Sequence, residues 1–282
     1  MVSRGDFVMQ NKSLFRVISI FAVLAVLAAF PFSASADHSW GNYHWARTSN
    51  PFTLKLGDNL STAWDPYLVT ASSDWSKSTV LDTTIVAGGA KSKNCRPTSG
   101  RVEVCNGTYG NNGWLGLAQI WASGNHITQG TTKMNDTYFN TSTYNTPAWK
   151  QLVVCQEVAH TFGLDHQDEN FDNANLGTCM DYTSNPSTNQ HPNQGDYDQL
   201  LCIYDPAYAG RTLSTSTHSC TGTGHLDSTT TIGAMPPGFA NANVNAIENW
   251  GEKVDDNGQT ALFVRDFGNG FKIFTFVIWA TE

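Results

Sequence analysis

The segment Cys155 to His166, CQEVAHTFGLDH, constrains this chain more than any other. Residues four apart on an α-helix share a face, so Gln156 and His160 point the same way. Glu157 is turned from them by about 100° and reaches the edge of whatever they hold. Gly163 is suited to end the helix in a left-handed conformation, and His166 then closes on the same point from a loop. Three side chains with lone pairs converge, and a carboxylate stands beside them. That is the geometry of a catalytic zinc site: three protein ligands, a fourth position for water, and a general base next to it. The helix that carries it is predicted to start at Thr146, a capping residue, with Pro147 in its first turn. Trp149, Leu152, Val153, Ala159 and Phe162 supply its apolar faces.

With those residues in place, the segment resembles the metzincin clan of zinc endopeptidases, whose signature is H-E-x-x-H-x-x-G-x-x-H and whose members include matrixins, astacins and serralysins. Glu157, His160, Gly163 and His166 match it, and Gln156 stands where the signature has its first histidine. Gly177-Thr-Cys-Met-Asp-Tyr182 is similar to the clan's Met-turn, with the Met180-x-Tyr182 spacing of astacins and serralysins. The resemblance extends over roughly residues 50–205, including a helix with a Trp75-Ser76 pair.

It implies an α+β fold: a metzincin-like catalytic domain with a twisted mixed β-sheet, an active-site helix and a Met-turn, plus a C-terminal β-hairpin extension. It further implies a zinc ion on Gln156, His160 and His166, with Glu157 as the catalytic base. Tyr182 would be a second catalytic residue that stabilises the oxyanion, and Met180 a structural floor. The expected activity is that of a secreted zinc-dependent endopeptidase. Gln156 keeps two alternatives open: a catalytically inactive metzincin-fold binding protein, and a metal-dependent hydrolase of non-peptide amides. A glutamine oxygen is a legitimate metal ligand, but a harder and weaker zinc donor than imidazole. The expected site binds zinc less tightly and leaves it a strong Lewis acid.

The ends of the chain define its organisation. Arg4, Lys12 and Arg16 precede an apolar run from Val17 to Phe30, and Ala34-Ser35-Ala36 gives an A-x-A cleavage pattern. Residues 1–36 read as a signal peptide rather than an uncleaved membrane anchor, because the run is short for a spanning helix. Residues 37–210 are expected to form the metalloprotease domain, 211–237 a polar linker, and 238–282 a C-terminal hairpin segment around Phe267-Gly-Asn-Gly270. No long N-terminal latency segment is expected, although 37–50 leaves room for a short one.

The formal net charge is −8, and removal of 1–36 makes it more negative. Such a surface does not attract nucleic acid or anionic lipid. The expected partner is a protein or peptide substrate, bound by an extracellular monomer with no membrane attachment once the signal is removed. All six cysteines lie beyond residue 36: Cys95, Cys105, Cys155, Cys179, Cys202 and Cys220. An even count in an exported chain suggests disulfides. Sequential pairing is the expectation, although the sequence alone does not choose.

Alternation predicts strands at 52–56, 81–86, 102–104 and 115–122, an edge strand at 127–134, and two more at 259–265 and 271–279. Helical spacing predicts a helix over 64–79. The stretch 167–200 shows little periodicity. His126 is weighed as a substitute ligand against a plain surface role. Asp165, Asp168, Glu169, Asp172 and Asp181 form an acidic cluster that either holds Ca2+ or is a solvated loop.

Overall fold

The computed structural model describes residues 38–208, Cys220 and 234–280, together with Met1. The signal peptide expected at 1–36 and most of the linker expected at 211–237 therefore lie outside the described residues.

The strands are β1 (His44–Trp45), β2 (Phe52–Asn59), β3 (Leu81–Ala87), β4 (Arg101–Gly107), β5 (Trp114–Ser123), β6 (His126–Asn135), β7 (Glu252–Asp256), β8 (Thr260–Asp266) and β9 (Phe271–Trp279). The helices are α1 (Asp65–Trp75), α2 (Asp136–Phe139), α3 (Pro147–His160) and α4 (Gln194–Tyr204). All described strands join one mixed sheet in the order β3-β2-β4-β6-β5-β9-β8-β7, with β1 also beside β6. The pairings among β3, β2, β4 and β6 are parallel. From β6 through β5, β9, β8 and β7 every pairing is antiparallel. The fold is thus α+β.

Adjacent residues on β5 point to opposite faces and enter different cores. Ile120 and Ala122 join the core that contains α1 and α3. Leu117 and Trp121 join a second core with Phe239, Val244 and Trp250, residues that precede β7. Helix α3 is buried at every position from Gln151 to His160, since the sheet and α1 leave it almost no free side.

Three expectations change. The strand at 127–134 is not an edge: β6 is interior, between β4 and β5. Residues 101–107 form a full central strand rather than a short one inside a loop. The C-terminal pair of strands is a three-stranded meander whose β9 pairs with β5 along nearly its whole length. The cysteines pair as 95–105, 155–179 and 202–220. No helix among the described residues is long and apolar enough to cross a membrane.

Candidate metal centre

Helix α3 is fixed at both ends. The Thr146 side chain accepts the Trp149 amide at 3.3 Å, and Pro147 occupies the first turn. At the other end the last carbonyls of a helix have no intrahelical partner. Here two indoles take them up: Trp40 Nε1 donates to the His160 carbonyl at 2.9 Å, and Trp45 Nε1 to that of Thr161 at 2.7 Å. Gly163 then turns the chain with φ +98°, and a Cβ there would sit 2.4 Å from the Tyr43 carbonyl oxygen. Residues beyond the turn pair with the segment 177–182: Gln167 N donates to the Met180 carbonyl, and Tyr182 N to that of Asp168. That pairing lays Tyr182 against His166. The Cys155–Cys179 disulfide ties the same segment to α3.

Gln156, Glu157, His160 and His166 line one small buried chamber together with Thr260, Val277 and Ile278, too tight to admit a water molecule. Gln156, Glu157 and His160 are each 1% exposed. His160 Nδ1 lies 2.9 Å from the Leu164 carbonyl oxygen. That partner requires the proton on Nδ1 and leaves Nε2 as the ring's lone-pair nitrogen. The His166 ring stands edge-on to it at 4.6 Å. Phe276 of β9 stacks on the His160 ring with centroids 4.3 Å apart and planes 10° apart. Tyr182 Oη meets His166 Nδ1 at 2.7 Å, and Phe171 stacks on the other ring of that pair at 4.9 Å. Met180 is fully buried in the core that includes α3.

The electrostatics follow from burial. Desolvation, helped by neighbouring His166, drives the His160 pKa down to about 3 against the opposing pull of Asp165 and the Leu164 carbonyl. Its ring is therefore neutral at ordinary pH. Burial raises the Glu157 pKa well above the usual carboxylate value. It does the same for Tyr182, which stays a hydroxyl. Gln156 Oε1, Gln156 Nε2 and Glu157 Oε2 are all buried with no hydrogen-bond partner among the described residues. Such groups are rare in native interiors because each loses its hydration without replacement.

The acidic cluster divides. Asp165, His166 and Glu169 each bring a ligand atom within 4.8 Å of the others, a group able to hold a metal ion. Asp181 is instead turned to the Leu176 amide at 2.7 Å and the Asn189 amide at 2.8 Å. Asp168 Oδ1 takes the Asn170 amide. His126 is buried and packs edge-on against His44 at 5.0 Å, in a β1–β6 pair rather than in the chamber. Sequence reasoning missed Thr260, Val277 and Ile278 as chamber walls and Phe276 as the ring stacked on His160. Their alternation announces a strand but carries no information about which strand it pairs with.

No protein-family model matches this sequence, and no curated protein matches it either.

Proposed function

We propose that this protein is a secreted zinc-dependent endopeptidase with a metzincin-like catalytic domain, an active-site helix at 147–160 and a Met-turn at 177–182. One observation carries the reading: an unpartnered amide, a carboxylate with one unpartnered oxygen and two imidazoles share one chamber. An apolar chamber would not be lined this way, since buried polar groups need partners. The donor set of Gln156 oxygen, His160 and His166 fits a divalent ion of mixed nitrogen and oxygen preference. A bound zinc would supply Lewis acidity and make a water acidic enough to attack at neutral pH.

The chain's own residues supply the rest. The Leu164 carbonyl and the Tyr182 hydroxyl orient the two imidazoles through their Nδ1 atoms. Glu157 takes the proton from the attacking water and passes it to the leaving amine. Burial holds Glu157 towards its protonated form, and a bound cation would favour the carboxylate it needs as base. Tyr182 stays protonated, so it can swing from His166 to donate to the oxyanion. Met180 shapes the floor. Three disulfides suit an exported protein.

The first test is elemental analysis of the mature protein and of His160→Ala, followed by peptide-library cleavage with Glu157→Ala as control. Near-stoichiometric zinc that His160→Ala loses, and cleavage that Glu157→Ala abolishes while keeping zinc, are expected. Absence of zinc after it has been supplied, or cleavage that survives Glu157→Ala, would refute the mechanism. The same analysis reports any calcium at Asp165 and Glu169. The second reading, a non-catalytic binding protein, draws on Gln156 and on the small buried chamber. Activity that appears only in Gln156→His would favour it.

A further inference from the structure

We propose that the C-terminal meander β7–β9 is a built-in latency segment: β9 closes the chamber, and polypeptide reaches Glu157 only when β9 leaves β5. This rests on the reading of the chamber as a peptidase site.

Three of the seven residues that line the chamber, Thr260, Val277 and Ile278, belong to this meander. Phe276 lies flat on the ring of His160. Phe276 also packs against Trp40, at 5.5 Å between ring centroids, and Trp40 holds the end of α3. The closing strand thus touches both a proposed ligand and the clamp that positions it. Strand β5 passes close to the base: a Cβ on Gly116 would approach Glu157 Oε1 to 3.0 Å. An extended polypeptide docks most directly by adding a strand to such an edge. From Trp114 to Ser123 that edge is already occupied by β9.

The sheet is also built so that the meander can leave as a unit. β9 joins the other strands through β5 alone, and β8 and β7 follow outward from it. Pairings among β1–β6 do not involve the meander. β7, at the outer edge, is exposed at every position. β9, in contrast, is buried along most of both faces, so the closed state dominates and the intact chain should cleave slowly.

Hydrogen exchange on the full-length mature chain tests the closure without metal or activity. Amides of 114–123 facing β9, together with those of 260–279, should exchange as one unit, at least about tenfold faster than those of 101–107, because opening of the meander precedes global unfolding. Equal protection of β9 and β4 would overturn the proposal, since β9 would then open only with the whole fold. A second arm uses a quenched fluorescent peptide library and zinc-loaded protein. Phe276→Ala should cleave at least about tenfold faster than the parent, and Ile278→Ala serves if that variant does not fold. Adding Glu157→Ala should remove the gain. A parent as fast as both variants would overturn latency and leave the peptidase reading standing. If no chain cleaves, the peptidase reading falls and the exchange data alone decide whether β9 opens.

Discussion

Gly163 places His166. Its φ of +98° lies where side chains are strained, and the Tyr43 carbonyl occupies the space a Cβ would need. Gly163→Ala should therefore destabilise the fold by about 2 kcal/mol or more and lower Tm by at least about 4 °C in a thermal melt. If His166 holds the proposed zinc, zinc affinity should fall too, because the clash displaces the loop that carries His166. An unchanged Tm would mean that the turn relaxes freely. The need for glycine here was legible in the sequence, since a helix had to end and reverse within a few residues. The orphaned state of Gln156 and Glu157 was not legible. It depends on every neighbouring group, and most of those neighbours are distant in sequence.

At the scale of elements, α4 shows how a polar sequence hides a helix. Asn193 caps it, and Asp196 answers from the third helical position, its Oδ2 accepting the Asn193 amide at 2.8 Å. Gln167 reaches both side chains, and Thr178 donates to Asp196 at 2.5 Å. The cap therefore also fastens the two loops that hold His166 and Met180. Asn193→Ala should cost about 1 kcal/mol, as for other helix caps. Asp196→Ala should cost more, about 2–3 kcal/mol, because it leaves several buried donors unpaired. Chemical denaturation of the two variants should rank them in that order, and the reverse ranking would contradict this account. The N-x-x-D spacing was visible in the sequence, but Gly195 and the surrounding turn residues masked the periodicity. Strand β6 was misread as an edge for a different reason. Its alternation is the same whether one neighbour or two lie beside it.

At the scale of the molecule, the second core contains a buried lysine. Lys133 is 2% exposed, and among the described residues its ammonium meets two neutral partners, Gln119 Oε1 at 3.0 Å and Asn245 Oδ1 at 2.9 Å. Burial lowers its pKa from 10.5 to about 7. Between those two values the unfolded chain binds a proton that the folded chain does not. Stability should therefore rise as pH increases from about 7 towards 10, and this contribution should be at its poorest below 7. Lys133→Met should flatten that rise in melts recorded across the window. An equally steep rise in the variant would assign it to other groups. Lys133 lies on β6 and Asn245 before β7, so the contact joins segments far apart in the chain.

The sequence by itself determined the helix at 147–160, the turn at Gly163, and the placing of Gln156, Glu157 and His160 on that helix with His166 just beyond it. Each of these depends on contacts within a turn or two of helix, where spacing dictates geometry. Only the tertiary structure decided that β6 lies inside the sheet, that β9 takes the edge of β5, and that Thr260, Val277 and Ile278 join the chamber wall. Strand pairing between residues 114–123 and 271–279 joins segments far apart in the chain. Alternation gives each strand two faces, but its choice of neighbour follows from which apolar surfaces the whole fold leaves to be covered.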